Sequence, residues 1–100
     1  MPRDASFIVV SYDIRDDRRR ARVFKAMQDF GKRVQYSVFE CELRPRDYTR
    51  LVDRVFKLIL PEEDSVRLYY LCETCVPKIR SLGADKVERI RDFYGVEEPT

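Results

Sequence analysis

The chain of 100 residues has no histidine, no tryptophan and only three glycines. Without an imidazole there can be no Ser-His-Asp triad, no histidine general base and no histidine metal site. No apolar run approaches the ~20 residues needed to cross a bilayer. The first twenty residues also lack a signal-peptide core, because Arg3, Asp4 and the charges from Asp13 onward flank only a short apolar stretch. The expected location is cytoplasmic, away from membranes. The cysteines, Cys41, Cys72 and Cys75, are odd in number and few, so a disulfide framework is not expected. A net charge of +2 excludes a strong overall basic field. Linkers, repeats and low-complexity segments are missing too, which leaves one domain, residues 1–100, with its core over about 7–72 and a tail over about 76–100.

So short a chain buries a thin core, and self-association is expected. Its charge is unevenly placed. Arg15, Arg18, Arg19, Arg20, Arg22 and Lys25 crowd one segment, a pattern that suits phosphate. The segment "FIVVSYDI" reads as a strand with Phe7, Val9, Ser11 and Asp13 on one face and Ile8, Val10, Tyr12 and Ile14 on the other. Both faces are apolar through most of its length, which predicts helices over one and a second subunit over the other.

Asp16 or Asp17 is placed to cap a helix running to about Phe30, with Val23, Phe24, Met27 and Phe30 along one stripe and Gly31 as the stop. "RVQYSVFECEL" reads on pattern alone as one long strand, with Val34, Tyr36 and Val38 alternating against Gln35, Ser37 and Phe39. A second helix starts near Pro45 and carries Tyr48, Leu51, Val52, Val55, Phe56 and Ile59 on its buried side until Pro61. "VRLYYLC" is a strand, Val76 to Leu82 reads as a short edge strand, and Asp85 to Tyr94 fits neither element well. Two helices against one mainly antiparallel sheet make an α+β sandwich.

Two features call for an explanation. Arg18, Arg19 and Arg20 stand in the first turn of a helix, where the partial positive charge of the N-terminus disfavours them unless something anionic is near. That anion is either a phosphate, gripped by guanidinium forks and free N–H groups, or the adjacent Asp16 and Asp17 on a solvated face. Asp13 ends a strand on a face that is otherwise apolar, so it either caps the turn into the helix or binds a hard cation such as Mg²⁺. Two copies of Asp13 near a two-fold axis would share one ion. The "CETC" pair supplies two of the four ligands zinc usually takes, and reads more simply as two small, partly buried residues at a strand end.

"VVSYDIRDDRRRARVFK", followed by "GKRVQYSVFECEL" and "DSVRLYYL", resembles the small CRISPR-associated protein of the Cas-two family, the partner of the spacer-integrating subunit in prokaryotic adaptive immunity. The resemblance implies a ferredoxin-like βαββαβ sandwich with an extra C-terminal strand, forming a homodimer with its sheets face to face. It also implies that the long strand folds back near Ser37 to Phe39. The implied activity is a Mg²⁺-dependent endonuclease hydrolysing RNA or duplex DNA, with Asp13 and its dimer mate holding the metal. Arg18, Arg19, Arg20, Arg22 and Arg33 would grip the backbone, and Tyr12, Gln35, Ser37 and Phe39 would support them. Tyr12 packs under the helices by strand parity, and Phe39 is expected in the dimer core. The alternative the resemblance carries is a non-catalytic dimeric bridge that holds duplex DNA for the CRISPR integrase subunit.

Overall fold

Alternation of apolar residues along the first strand divides the molecule into a covered face and an open one. The computed structural model describes residues 4–83. In chain order the elements are β1 (Ser6–Asp13), α1 (Asp17–Met27), β2 (Gly31–Gln35), β3 (Val38–Leu43), α2 (Pro45–Phe56) and β4 (Ser65–Leu71). The strands form one antiparallel sheet in the order β2-β3-β1-β4, the split βαβ arrangement of the ferredoxin-like fold. Ile8, Val10 and Tyr12 of β1 and Phe39, Cys41 and Leu43 of β3 meet Val23 and Met27 of α1 and Leu51 and Val55 of α2 in a single core. Both helices therefore cover the same face of the sheet.

Helix α1 starts where Asp16, in extended conformation, accepts a hydrogen bond from the Arg19 backbone N–H at 2.9 Å. It ends at Met27 rather than Phe30, and the chain turns with Phe30 still packed against the core. Gly31 is thus the first residue of β2, not a helix stop. Packing is what requires glycine there. A Cβ on Gly31 would lie against the Cys41 sulfur and 2.5 Å from the Glu40 carbonyl oxygen on the neighbouring strand.

The long apolar stretch does fold back, at Tyr36 and Ser37, with Gln35 paired to Val38. No described residue other than Gly83 has positive φ, so the turn is not one of the primed hairpin types that Gly and Asn announce in a sequence. Instead β2 carries an extra residue, Val34, between the pairs Arg33–Phe39 and Gln35–Val38. The Ser37 carbonyl is tied to β1 by the Tyr12 N–H at 3.0 Å. The fold-back corrects the expected side-chain parity. Arg33 shares the helix-covered face with Phe39, while Gln35 shares the open face with Val38.

Three further expectations are corrected. On α2, Leu51 and Val55 are buried, but Val52 and Phe56, one position further round the helix, are exposed, Phe56 by 61%. The helix stops at Phe56, and Leu58 and Ile59 complete the packing from the turn beyond it. Val76–Lys78 is one turn of 3-10 helix rather than an edge strand, because Pro77 has no N–H to pair and the Lys78 and Ile79 N–H groups bond back to Cys75 and Val76. The described residues thus hold no extra C-terminal strand. Cys72 and Cys75 are exposed rather than partly buried. Asp85 to Tyr94 and the rest of the expected tail contacts lie outside the described residues.

Gly31→Ala tests the close approach of β2 to β3. Overpacking at a tight site costs about 1–3 kcal/mol, so the urea midpoint should fall with an unchanged slope. An unchanged midpoint would mean that the strands separate freely.

Candidate functional site

Asp13 is the last residue of β1, paired with Ser65 of β4. Its side chain is exposed on the open face, which it shares with Ser11, Val9 and Phe7 of β1 and with Arg67, Tyr69 and Leu71 of β4. Asp16, not Asp13, caps α1. Among the described residues no hydrogen bond or ion pair engages the Asp13 carboxylate, and no group of three or more His, Cys, Asp or Glu side chains is placed to hold a metal. One chain supplies a single hard oxygen donor at this point. That fits Mg²⁺, which keeps most of its waters, only as half of a pooled pair.

The arginine cluster separates into two groups. Arg19 reaches across to the loop after α2, where its Nε lies 2.8 Å and its Nη2 3.1 Å from the two carboxylate oxygens of Asp64. The Asp64 side chain has no exposed surface, while that of Arg19 is 21% exposed. The same carboxylate accepts hydrogen bonds from the Arg15 N–H at 3.2 Å and the Leu60 N–H at 2.9 Å, so one buried acid joins the β1–α1 loop, the first turn of α1 and the α2–β4 loop. The Arg19 guanidinium, with the backbone donors of Leu60 and Arg15, holds the Asp64 carboxyl far below the usual carboxylate range against the opposing effect of burial. Glu63 adds a second contact to Arg19 at 3.2 Å. Arg20 pairs with Asp17 and donates to the Ile14 carbonyl at 3.0 Å. Two of the three arginines at the helix start, Arg19 and Arg20, are therefore balanced from inside the molecule.

Arg18 and Arg22 belong to the second group. With Lys25 they follow an i, i+4, i+7 spacing, are exposed, and form a stripe on the outer side of α1. Arg33 lies over the Phe24 ring, 4.8 Å from its centroid. Together with Tyr12, Arg20, Tyr36 and Asp17 it lines a cleft of about 220 Å³ between α1 and the hairpin. Tyr12 is buried beneath α1, and burial pushes its hydroxyl pKa up. Phe39 is fully buried between Tyr12, at 6.3 Å, and Phe24, at 5.8 Å between ring centroids. It belongs to the core under the helices, not to the open face, and no base can reach it. Ser37 sits in the hairpin turn next to Tyr12, and Gln35 is exposed on the open face.

This arrangement is matched elsewhere. The family model described as CRISPR associated protein Cas2 covers residues 6–79, from the first strand to just past the 3-10 turn. The chain belongs to the Cas2 family. Among its relatives, a CRISPR-associated endoribonuclease Cas2 of Thermus thermophilus is 37% identical over 86% of this chain and 92% of its own. A CRISPR-associated endoribonuclease Cas2 of Chloroflexus aurantiacus is 41% identical over 88% of this chain and 97% of its own. The crystal structure of Streptococcus pyogenes Cas2 superposes with a TM-score of 0.70 at 32% identity, covering 77% of this chain and 99% of that one. A hypothetical protein from Thermus thermophilus reaches 0.76 at 32% identity, over 83% and 96%.

Two features of this Cas2-family chain lie beyond the sequence pattern. Asp64 sits in a loop, "PEEDS", whose composition reads as solvent-facing turn, and nothing local marks one of its three acids as buried. Arg67 and Tyr69 are joined by a 3.1 Å hydrogen bond and stand on the Asp13 face. Alternation in "VRLYYLC" groups them with Leu71, but only the pairing of Ser65 with Asp13 and of Arg67 with Ser11 brings them to the acid.

The Asp64 cluster sets a pH dependence. A carboxyl whose folded pKa is depressed contributes stability above its unfolded value of about 3.9 and loses that contribution as pH falls toward the folded value. Stability of the wild type should therefore drop more steeply below about pH 4 than that of Asp64→Asn, followed by thermal melts across pH. At neutral pH, Arg19→Ala should lower Tm by several degrees while Arg18→Ala leaves it nearly unchanged. Equal effects of the two would deny Arg19 its special place.

Proposed function

We propose that this chain is an endonuclease subunit of the CRISPR adaptation machinery, acting on phosphodiester bonds as a homodimer joined through the open faces of two sheets. The observation that carries this is Asp13, a carboxylate with no partner among the described residues, at the rim of a face that no helix of the described residues covers. Val9, Val38, Tyr69 and Leu71 give that face an apolar centre, which suits a second copy better than water. Across such an interface two Asp13 side chains would approach as like charges, a pair that a divalent cation relieves.

Mg²⁺ held there would lower the pKa of a coordinated water and offset charge on the scissile phosphate. The chain's own part is to hold and orient. Asp13 from each subunit supplies the hard ligand. Arg67, on the neighbouring strand and the same face, is positioned to meet a phosphate oxygen near it. Arg18 and Arg22 extend the grip along α1 by charge alone, which gives affinity without sequence readout. Arg33, in the cleft with Tyr12 and Tyr36, offers a cation between rings for a nucleotide that leaves the main track. The relatives bear the name endoribonuclease, which favours RNA as the substrate to test first, with duplex DNA beside it.

A second reading has its own support. One acid per chain is sparse for a dedicated nuclease, and the basic stripe on α1 needs no chemistry to be useful. In this reading the dimer is a non-catalytic bridge that holds duplex DNA for the CRISPR integrase subunit, and hydrolysis is incidental.

Asp13→Asn separates the two. It should abolish Mg²⁺-dependent cleavage of RNA or duplex DNA while leaving the dimer mass unchanged in sedimentation; cleavage that persists removes Asp13 from the reaction. If the variant still supports spacer acquisition alongside the integrase, the bridge is the biological role. Replacing Arg18 and Arg22 together by Ala should flatten the dependence of log affinity on log salt by about 0.9 for each duplex DNA phosphate that these side chains neutralise. An unchanged slope would leave these arginines as ordinary solvated charges.

A further inference from the structure

We propose that Cys72 and Cys75 form a reversible dithiol–disulfide site, closed by exchange with a small disulfide of the glutathione type. The pair lies just past the end of β4, outside both the Asp13 face and the α1 stripe. The Cys75 N–H bonds to the Cys72 carbonyl at 2.9 Å and the Val76 N–H to the same oxygen at 3.2 Å, and this tight turn brings the two sulfurs to 3.1 Å. Both are exposed, so a reagent can reach them.

The two sulfurs are not equivalent. The Thr74 hydroxyl lies 3.2 Å from the Cys72 Sγ, and donors from Thr74 and Cys75 bring the Cys72 thiol down to about 7. Cys75 is pushed the other way, first because its hydrogen bond with the Cys72 sulfur holds its proton and then because a thiolate at Cys72 is a like charge beside it; Lys78 in the next turn opposes that only in part. Cys72 is therefore the attacking thiolate and Cys75 the resolving thiol. Cys41 takes no part, since it is buried in the core, where burial pushes its thiol up to about 11. Only one pairing within the chain is open.

The exchange balances without any group outside the two reactants. The Cys72 thiolate attacks one sulfur of the oxidant disulfide, forming a mixed disulfide and expelling one small thiolate. Cys75 then gives up its proton and attacks the Cys72 sulfur, expelling the second. Two protein thiols are oxidised to one disulfide, and one small disulfide is reduced to two thiols. Because the closed loop is short, it restricts the unfolded chain little, and the effect on Tm should be small. A chemical readout is therefore the decisive one.

The full chain, reduced and then equilibrated over a series of ratios of glutathione disulfide to glutathione, is quenched, alkylated and weighed intact. Two thiols should disappear together, the bond mapping to Cys72 and Cys75, while Cys41 alkylates only after denaturation. Cys72→Ser and Cys75→Ser should each stop at a mixed disulfide or remain reduced. In Cys75→Ser, the rate of Cys72 alkylation should rise with pH through a midpoint below the usual thiol value, held down by the Thr74 hydroxyl, and Thr74→Val should move that midpoint upward. The proposal is overturned by a wild type that stays reduced at every ratio, that halts at the mixed disulfide, or that pairs through Cys41. It is overturned equally if added Zn²⁺ is held by the pair at one ion per two chains and blocks oxidation, which would make the site a metal site.

Discussion

A single buried carboxylate ties the β1–α1 loop, the start of α1 and the loop before β4 together. Asp64 accepts hydrogen bonds from the Arg19 side chain and from the backbones of Arg15 and Leu60, so its own loop and a segment 45 to 49 residues earlier share one acceptor. A buried charge is tolerated only when it is fully bonded, and here each bond fixes a loop as well as satisfying the acid. The strand end that presents Asp13 and the helix start that presents Arg18 and Arg22 are both anchored through this point. The arginines of the first turn consequently divide in function. Arg19 and Arg20 are held in ion pairs within the fold, and the side chains further round the helix are left to face solvent.

The sheet is equally two-sided. On one face α1 and α2 bury a continuous apolar layer; on the other, apolar and charged residues stand together with no helix of the described residues over them. This asymmetry is written into β1, where Ile8, Val10 and Tyr12 go under the helices and Val9, Ser11 and Asp13 stay outside. The proposed pairing with a second copy of the chain rests on the apolar centre of that open face, and its proposed chemistry on the acid at the rim.

Much of this is legible in the sequence. The apolar periods of α1, α2, β1 and β4 specify element type, those of β1 the face that goes under the helices and those of α2 only part of its buried side, and the position of Asp13 follows from counting along a strand. What is not legible is non-local. The hairpin at Tyr36 and Ser37 uses ordinary backbone angles and an extra residue, Val34, so no glycine or asparagine betrays it, and simple alternation misassigns Gln35 and Phe39. Gly31 suggests a helix stop by its type, whereas its actual role depends on Cys41 on the neighbouring strand. Asp64 looks like its acidic neighbours until the loop closes over it. Periodicity reports the neighbours a residue has along the chain, and these three are decided by neighbours across it.

The span of the Asp64 contacts bears on the order in which the molecule is made. Its bonds to Arg15 and Arg19 reach back 49 and 45 residues, and a domain synthesised from its N-terminus has its early segments waiting for late ones. While the nascent chain is still short of the loop before β4, the arginines of α1 have no internal counter-ion beyond Asp16 and Asp17. Closure of the loop before β4 is therefore the step that commits Arg19 to the fold, while Arg18 and Arg22 stay at the surface.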